Sequence, residues 1–434
     1  MSFHGATSAG EGRSFLFLQG PHGPFFHQLA GRLRETGAAA WRVGFNAGDA
    51  AFWPDRQSYI PFTAPQGDWP ATLAALLDEK NITDIVLYGD TRPIHAEAVA
   101  RARARGLVVH VFEEGYLRPY WVTYERDGSN GNSALMGMSV AEMRRRLEDA
   151  GQPIPEAPAR WGDMRQHVFY GAAYHWFVMV QGRRYRNFRP HREITVFQEF
   201  RLHFRKALLM PFHWVERMAA TAVIRRGGFP YHLVLLQLEH DANFRAHSPF
   251  SGTTEFLDTV MRGFARGAPA HHRLVIKAHP LEDGRVNLQR VIGRLAVRHG
   301  ITGRVHFLRG GKLAALLDGA RSAVTVNSTA AQQALWRGLP LKAFGAAVYS
   351  KPEFVSDQPI DEFFANPRPP DAEAYRSYRL FLLETSQLPG GFYSARGRRQ
   401  LLREAPARML SPHSPYEALG GATEAAVQQL QRAK

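Results

Sequence analysis

The chain has 434 residues, a formal net charge of +15 and no cysteine. This length is too great for one compact core, so we expect two domains or more, and the lack of cysteine excludes disulfides, thiolate metal sites and a cysteine nucleophile. No uninterrupted run of about 18 apolar residues occurs, so no membrane-spanning helix is expected. The charge indicates an anionic partner, either nucleic acid, a membrane surface or a nucleotide-bearing substrate; a merely soluble, arginine-rich surface is the alternative.

Strand and helix patterns alternate after an N-terminal tail, residues 1–13, which lacks the apolar stretch of a secretory signal and is predicted to be disordered. The first strand runs into a glycine-containing turn with Gln19, Gly20 and His22, and a helix follows. The alternation over residues 14–139 predicts a Rossmann-like domain with a parallel sheet. The glycine spacing of the turn is not that of a dinucleotide site.

Two adjacent carboxylates, Glu113 and Glu114, follow an apolar strand at 107–111. They therefore lie at the carboxyl edge of the predicted sheet, where α/β proteins bind ligands. Adjacent strand residues point in opposite directions, so we expect Glu114 to face the ligand while Glu113 supports the loop or pairs with Arg118. A carboxylate here can accept a proton from an attacking hydroxyl or attack an anomeric carbon itself. A structural glutamate–arginine pair is the alternative.

Helical periodicity with mixed aromatic and basic residues dominates residues 140–227. Residues 181–206 include eight basic residues, lysine or arginine, and only two acidic ones. Such a segment suits the interface of an anionic bilayer, although it could also bind single-stranded nucleic acid or be an amphipathic insert packed on the protein. We favour membrane contact.

A second Rossmann-like domain is predicted for residues 228–371, and helices that pack back on the first domain for residues 372–434. Two polar motifs follow strands of the second domain, a His-Pro pair and an Asn-Ser-Thr triplet that begins a helix. Hydroxyl and backbone N–H groups at a helix start favour a phosphate, although serine and threonine are also ordinary N-caps. Together they predict a pocket for a nucleotide monophosphate, formed by Lys277, His279, Pro280, Asn327, Ser328 and Thr329.

Several other kinds of site have no sequence support. The chain lacks a plausible Asp-x-Asp metal site, a P-loop and a Gly-x-Ser-x-Gly elbow. Its 19 histidines are scattered without the spacing of metal ligands. We therefore predict that the protein needs neither a metal nor a cofactor.

An ordered set of motifs resembles the KpsS-type capsule polysaccharide proteins over roughly residues 14–395. The motifs lie at 17–26, 45–49, 88–93, 112–119, 237–241, 247–250, 277–280 and 326–329. The resemblance implies a GT-B-like α/β fold, with two Rossmann-like domains facing a central cleft and a basic helical insert. It also implies a retaining β-Kdo glycosyltransferase (Kdo is 3-deoxy-D-manno-octulosonic acid) that uses CMP-Kdo, with lyso-phosphatidylglycerol or a Kdo-lipid as acceptor.

The resemblance also assigns roles to residues. Glu114 matches the acidic catalytic residue, where related transferases usually have aspartate, and whether it acts as nucleophile or base stays open. His279 matches the histidine near the CMP phosphate, and Ser328 and Thr329 match the hydroxyl pair beside it. Three arginines, Arg92, Arg118 and Arg245, are candidates to bind the Kdo carboxylate or the acceptor phosphate. Each of them could instead form a structural ion pair. The predicted substrate-binding residues are Gln19, Gly20, His22, Arg92, Arg118, Arg245 and His247.

Location and partners follow from the same resemblance. We expect a cytoplasmic protein bound peripherally to the inner face of a Gram-negative inner membrane. A second Kdo transferase and a capsule ABC transporter are its possible protein partners. A non-catalytic export or scaffold subunit is the main alternative, and a nucleic-acid-binding protein is suggested by charge alone; we expect no nucleic acid partner.

Overall fold

The structure is a computed structural model that describes residues 9–148, 164–188, 215, 218–224, 226–280, 282 and 284–419. These residues form two compact units. Unit 1 contains residues 9–134, 144–148, 164–188 and 380–419, and unit 2 contains the other described residues, from 135–143 and 215–379. Half of the predicted basic and aromatic segment at 140–227, including residues 189–214, lies outside the described residues.

The first half of the chain supplies six strands and six helices to the described structure. In chain order these are β1 (Ser14–Phe17), α1 (Phe25–Arg34), β2 (Ala39–Gly44), α2 (Ala47–Ala51), β3 (Tyr59–Pro61), α3 (Trp69–Glu79), β4 (Asp84–Tyr88), α4 (Pro93–Ala104), β5 (Val108–Glu114), β6 (Trp121–Arg126), α5 (Val140–Glu148) and α6 (Met164–Val180). Short 3₁₀ helices lie at Gln66–Asp68, Asn130–Asn132, Ala134–Gly137 and Gly182–Tyr185.

The second half continues the alternation of strands and helices. Its elements are β7 (Tyr231–Leu235), α7 (Ala242–His247), α8 (Thr253–Gly267), β8 (Arg273–Lys277), α9 (Leu288–Arg298), β9 (Val305–Leu308), α10 (Leu313–Leu317), β10 (Ala320–Thr325), a 3₁₀ helix (Thr329–Ala331), α11 (Gln332–Trp336), β11 (Leu341–Ala343), α12 (Ile360–Ala365), α13 (Ala372–Glu384), β12 (Gln387–Pro389) and α14 (Ala395–Leu410).

Unit 1 is built on a seven-stranded sheet with the order β12-β6-β5-β4-β1-β2-β3. The strands from β5 to β3 run parallel, whereas β6 pairs antiparallel with β5 and β12 pairs antiparallel with β6. Both faces are covered, as a parallel sheet requires. Phe15 and Phe17 pack towards α1 and α14, and the alternating Leu16 and Leu18 pack towards α3 and α4 on the other face.

Unit 2 has a five-stranded sheet, all parallel, with the order β11-β10-β7-β8-β9. Every residue of β7 is buried, and Val234 and Ile276 join one core cluster with residues of α8, α9 and α12. The predicted α/β class with two Rossmann-like units is therefore confirmed. The arrangement of the two domains around a cleft stays a prediction.

Three strands of unit 1, β3, β6 and β12, were not predicted from the sequence. Strand β6 continues the sheet directly after the Glu113–Glu114 motif, and the three-residue β12 lies in a stretch that was predicted to be helical. A run of three residues is too short to show the period-2 pattern of a strand. Its register is set instead by pairing with β6, where Leu388 lies opposite Val122.

A buried ionic network ties the chain start to the sheet. Asp84, at the start of β4, is fully buried and accepts hydrogen bonds from Arg13 Nε at 2.7 Å and His110 Nε2 at 2.7 Å. A second guanidinium nitrogen of Arg13 contacts the other carboxylate oxygen. Arg13 was assigned to a disordered tail, which is wrong for this residue, because pairing with a buried carboxylate fixes it on the sheet.

Candidate functional site

The two carboxylates at the end of β5 lie on opposite faces of the unit 1 sheet. Glu114 Oε1 accepts a hydrogen bond from the Tyr88 hydroxyl at 3.2 Å. Glu113 lies beside the turn after β4, where its Oε2 is 3.1 Å from the position that a Cβ on Gly89 would occupy. Glu113 Oε1 also accepts from the Glu114 backbone N–H at 3.0 Å. Glu113 thus supports the loop, and Glu114 is held by a tyrosine.

Two half-buried tyrosines, Tyr88 and Tyr393, lie beside Glu114, and neither was predicted as a site residue. The Tyr393 hydroxyl interacts electrostatically with both Tyr88 and Glu114. Burial, followed by the negative charge of Glu114, raises the pKa of Tyr88 and of Tyr393 well above the ordinary value. Both hydroxyls therefore stay protonated at neutral pH and can serve as donors. Tyr88 directly precedes the turn after β4, which was a usable signal, whereas Tyr393 comes from almost 280 residues downstream of Glu114.

The switch point of the unit 1 sheet lies next to this cluster. Strand β1 has β2 on one side and β4 on the other, so the loops after β1 and β4 lead to opposite faces and leave a crevice. Gln19 follows β1 and Arg92 precedes α4, and Arg92 Nη1 donates to Gln19 Oε1 at 3.5 Å. The Arg92 guanidinium carbon is also 5.7 Å from the Tyr88 ring centroid. The structure thus brings Gln19, Arg92, Tyr88 and Glu114 to one edge.

A cavity of about 170 Å³ opens at this switch point. Gln19 and Arg92 supply polar groups, and the remaining wall is largely aromatic and aliphatic. The lining residues are Gln19, Phe45, Phe62, Ala64, Gln66, Arg92, Pro93, Ile94, Asn187 and Phe188. One guanidinium beside an apolar wall suits a ligand that carries both an anionic group and a hydrocarbon portion.

Asp49 holds the polar end of the cavity in place, although it was not among the predicted site residues. The side chain is buried and accepts from Gln19 Nε2 at 3.3 Å, Arg42 Nη2 at 3.1 Å and the Phe45 backbone N–H at 2.9 Å. Since Gln19 Nε2 points to Asp49, its Oε1 is directed to Arg92. Asp49 is therefore a positioning residue for this amide.

Other predicted substrate residues of unit 1 have packing contacts. A Cβ on Gly20 would lie 2.5 Å from Phe26 Cδ2, so a close approach to this ring requires the glycine. His22 stacks on Tyr174 with ring centroids 4.4 Å apart. Arg118 is exposed, and its Nε donates to the carbonyl of Gly115 at 3.1 Å. These contacts describe structural roles, and binding roles for the three predicted residues stay predictions.

In unit 2 the predicted residues lie at the carboxyl ends of neighbouring strands. Asn327 follows β10 and Gln237 follows β7; Gln237 Nε2 donates to Asn327 Oδ1 at 2.6 Å, and the Asn327 backbone N–H donates to Gln237 Oε1 at 2.9 Å. This pair bridges the two strands that flank the switch point of the sheet. Lys277 ends β8 on the other side of β7 and is buried, and burial lowers its pKa. Gln237 was quoted in a motif but was not predicted as a site residue.

The hydroxyl motif of unit 2 has the geometry of a cap. Ser328 Oγ accepts from the Ala330 backbone N–H at 3.3 Å, at the start of the 3₁₀ helix whose first residue is Thr329. The Ser328 carbonyl accepts from the buried Tyr349 hydroxyl at 2.8 Å. The N-cap alternative therefore describes the Ser328 side chain in the ligand-free chain. Its role towards a phosphate stays a prediction.

The remaining predicted residues of unit 2 lie on loops and helix ends. His279 and Pro280 follow β8, with His279 half-buried and Pro280 exposed, and the His279 carbonyl accepts from Glu282 N–H at 3.0 Å. Arg245 is exposed on α7. The carbonyl of His247 accepts from the Ala346 N–H at 2.9 Å, which ties the end of α7 to the segment after β11.

Glu125 of β6 is a second buried carboxylate of unit 1. It is fully buried and accepts hydrogen bonds from the Tyr116 hydroxyl at 2.5 Å and from Ser133 Oγ. Burial raises its pKa to about 7. Ser133 ends a loop whose Ser129 N–H donates to Asp90 at 3.0 Å, so Glu125 stabilises the loop beside the turn after β4.

Glu125→Gln is expected to remove part of the pH dependence of stability. Because the pKa of Glu125 is higher in the folded protein, the folded protein keeps a proton that the unfolded chain releases. The stability that this protonated carboxyl contributes is complete below pH 4.5, the pKa of an unperturbed glutamate. It is lost as the pH rises through about 7. Urea unfolding between mildly acidic and mildly alkaline pH should therefore show a smaller decline for the variant than for wild type. An equal decline in both proteins would contradict the shift, and Glu79→Gln, an exposed carboxylate, is the control.

The part of the chain that the structure describes contains neither a cluster arranged for a metal ion nor a membrane-spanning helix. Among these residues, no group of three or more histidine, aspartate or glutamate side chains is arranged to hold a metal ion. No helix within the described ranges is long and apolar enough to cross a bilayer.

Comparison with known proteins identifies the family. Residues 83–393 match the model of the family described as capsule polysaccharide biosynthesis proteins. The chain belongs to this family. This membership confirms the resemblance that the ordered motifs indicate, and the matched region contains Glu113, Glu114 and all the predicted residues of unit 2.

Individual relatives agree with the family assignment. The capsule polysaccharide export protein KpsS of Escherichia coli is 31% identical over 88% of this chain and 97% of its own length. The capsule polysaccharide modification protein LipB of Neisseria meningitidis serogroup B is 30% identical over 88% of this chain and 92% of its own length. Among solved structures, the β-Kdo 2,7 transferase of Thermosulfurimonas dismutans KpsC aligns with a TM-score of 0.42 at 12% identity, covering 96% of this chain and 100% of that one.

Proposed function

We propose that this member of the capsule polysaccharide biosynthesis family is a glycosyltransferase that transfers Kdo from CMP-Kdo to lyso-phosphatidylglycerol or a Kdo-lipid. The observation that carries the proposal is the position of Glu114. This carboxylate lies at the carboxyl edge of a parallel sheet, accepts a hydrogen bond from Tyr88, and is connected through that ring to Arg92 and the switch-point cavity. Ligands of α/β sheets bind at such edges.

The cavity of unit 1 is proposed to hold the acceptor. Arg92 would bind the phosphate, because a planar guanidinium donates two hydrogen bonds to a phosphate group. Phe45, Phe62 and Phe188 would contact the glycerol and the first methylene groups of the acyl chain. Gln19, oriented by Asp49, would help to position the head group.

The donor is proposed to bind at the carboxyl edge of the unit 2 sheet. His279 and Lys277 supply nitrogen donors, and the hydroxyl groups of Ser328 and Thr329 lie at the start of a short helix. The two hydrogen bonds between Asn327 and Gln237 would hold the two flanking loops in fixed positions. CMP is anionic, which fits a protein with a net charge of +15.

The proposed reaction forms a glycosidic bond at the anomeric carbon of Kdo. The bond from this carbon to the phosphate oxygen of CMP breaks, and CMP leaves with the electron pair. If Glu114 is a base, it takes the proton of the acceptor hydroxyl as that oxygen bonds to the anomeric carbon. If Glu114 is a nucleophile, its oxygen first forms a glycosyl ester. The acceptor hydroxyl oxygen then attacks the anomeric carbon, the ester bond breaks and the released carboxylate takes the hydroxyl proton, so that two inversions give net retention.

A transfer assay tests this function. Purified protein is mixed with CMP-Kdo made in situ and fluorescent lyso-phosphatidylglycerol, with EDTA present, and lyso-phosphatidylcholine serves as the matched zwitterionic acceptor. We expect the mass of the phosphatidylglycerol product to increase by one Kdo residue, with little product from the choline lipid. CMP binding without product would contradict the acceptor, and a product that requires added metal would contradict metal independence.

The same assay separates the main alternative function. A chain that neither transfers Kdo nor binds CMP would be a non-catalytic export or scaffold subunit. For the transferase, we propose peripheral binding to the cytoplasmic face of the inner membrane, where the lipid acceptor is found. A second Kdo transferase and a capsule ABC transporter are the proposed protein partners.

A further inference from the structure

Helix α6 packs on unit 1 through a face of polar and aromatic side chains. Tyr174 accepts a hydrogen bond from Asn46 Nδ2 at 2.7 Å. His167 stacks on Tyr393 with ring centroids 3.9 Å apart, and the Tyr170 hydroxyl accepts from Arg398 Nη2 at 3.3 Å. A residue spacing of three and four places these side chains on one side of the helix, so this side is directed to the protein.

The opposite side of α6 presents apolar side chains outwards. Its members are between 45% and 64% exposed, and the helical period places them on one continuous arc. They are Val168, Phe169, Trp176, Met179 and Val180. A surface helix normally has the reverse arrangement, with apolar side chains towards the core. An exposed apolar surface of this kind in a soluble unit marks a site of interaction with another protein or a membrane.

The charged residues of the described segment that carries this apolar face are all basic. Residues 164–188 contain no aspartate or glutamate. Exposed arginines lie at Arg165, near the start of the helix, and at Arg183, Arg184 and Arg186, directly after its end. An apolar face with tryptophan, bordered by arginines and lacking carboxylates, is complementary to the interface of an anionic bilayer.

We propose that the outward face of α6, defined as Val168, Phe169, Trp176, Met179 and Val180, inserts into the interface of a membrane that contains anionic phospholipid. The arginines that follow the helix bind the lipid phosphates. The identity of the lipid as acceptor rests on the proposed function, whereas the membrane contact does not. A second copy of the chain and the chain's own residues outside the described ranges are the competing occupants of this face.

The position of α6 connects this contact with the candidate site. The short helix Gly182–Tyr185 follows α6, and Asn187 and Phe188 directly after it line the cavity that contains Arg92. On its inner side the helix contacts Tyr393, which interacts electrostatically with Glu114. A bilayer bound to the outward face would therefore lie close to the cavity proposed for a lipid acceptor.

Environment-sensitive labelling tests the insertion directly, since the natural chain has no cysteine. Trp176→Cys labelled with a nitrobenzoxadiazole dye is mixed with phosphatidylcholine vesicles that do or do not contain phosphatidylglycerol. We expect a blue shift and increased emission only with the anionic vesicles. Trp336→Cys, at a tryptophan of unit 2 that is 57% exposed, is the matched control and should show no change.

Vesicle flotation of variants tests which side chains carry the binding. Phe169→Ser with Trp176→Ser should weaken binding to anionic vesicles by about tenfold or more, whereas Val297→Ser with Trp336→Ser, two exposed positions of unit 2, should bind as wild type does. Arg183→Glu with Arg184→Glu should abolish the preference for phosphatidylglycerol.

Three outcomes would overturn the inference. An unchanged dye spectrum with full vesicle binding would place the membrane contact elsewhere. Concentration-dependent dimers that Phe169→Ser with Trp176→Ser disperses would make the face an interface between copies. A dye that is already shielded without vesicles would show that the chain itself covers the face. Vesicle binding by a wild-type protein that transfers no Kdo would reject the proposed function alone, and Kdo transfer without vesicle binding would reject this inference alone.

Discussion

Replacing Glu114 with glutamine is expected to lower kcat for sugar transfer by about 10²- to 10⁴-fold, the usual contribution of a general base. Glutamine has nearly the same shape and keeps an oxygen that accepts from the Tyr88 hydroxyl, so the fold should be unaffected. The amide can neither take a proton nor attack the anomeric carbon. Initial rates with saturating donor and acceptor, together with thermal unfolding of both proteins, measure the effect.

Two control substitutions, Glu113→Gln and Glu79→Gln, test whether the loss of activity is specific to Glu114. Glu113→Gln should cause a smaller loss, because Glu113 faces the Gly89 turn and its Oε1 acceptor for the Glu114 N–H is retained in glutamine. Glu79→Gln, at the exposed end of α3, should leave the rate unchanged. A Glu114→Gln enzyme with more than about a tenth of the wild-type rate would remove Glu114 from the reaction.

The nucleophile and base roles of Glu114 predict different protein masses after incubation with donor alone. Wild-type protein incubated with CMP-Kdo and no acceptor should gain the mass of one Kdo residue if Glu114 forms a glycosyl ester. Proteolysis should then place the added mass on the peptide that contains Glu114. No added mass, in an enzyme that is active when acceptor is supplied, would favour the base.

The sequence predicts the local parts of the fold well because burial imposes a local pattern. The buried runs of β1, β4 and β5 are read directly from consecutive apolar residues, and each is followed by a polar turn. The apolar run at 107–111 places Glu114 near the carboxyl edge of the sheet, and the structure extends β5 through Glu114 itself, which pairs with β6. Strand β12 escapes prediction because pairing with β6, about 260 residues earlier, determines it.

The supporting parts of the candidate site depend on contacts between distant residues. Tyr393 reaches Glu114 only because β12 and α14 return to unit 1. Asp49 orients Gln19 across 30 positions, and Gln237 pairs with Asn327 across 90. Contacts between residues so far apart leave no periodic pattern in the sequence. The sequence therefore predicts the ends of the strands but not the side chains that hold the predicted residues in position.

The inward side of helix α6 is also not predictable from the sequence. Aromatic or aliphatic residues occur on every side of this helix, with histidine and tyrosine among them, so the sequence does not indicate which side meets the protein. Only the contacts of Tyr174 and His167 decide that the side with histidine and tyrosine is directed inwards. The membrane interpretation of the basic segment at 181–206 was based largely on residues outside the described ranges, whereas α6 supplies a described surface of the same kind.

The largest stability effect is expected from Asp84→Ala. The substitution removes the acceptor of Arg13 and His110 within a fully buried site, and breaking a buried ion pair costs about 3–5 kcal/mol of unfolding free energy. The ionised carboxylate can only accept, so His110 Nε2 carries the proton, and burial lowers the pKa of His110 and keeps the ring neutral. Urea denaturation at neutral pH measures the loss.

Asp78→Ala is the matched control, since Asp78 also pairs with an arginine, Arg105, through two bonds but is 72% exposed. This exposed pair should contribute less than about 1 kcal/mol.

Burial by itself raises the pKa of Asp84, but the hydrogen bonds from Arg13 and His110 outweigh it and hold the pKa well below its usual range. The stability that Asp84 adds is therefore complete at pH values above its model-peptide pKa of 3.8 and is lost as the pH falls below that value. The difference between wild type and Asp84→Ala should accordingly shrink in acid, and a difference that stays constant down to acid unfolding would show that packing, rather than the ion pair, supplies the stability.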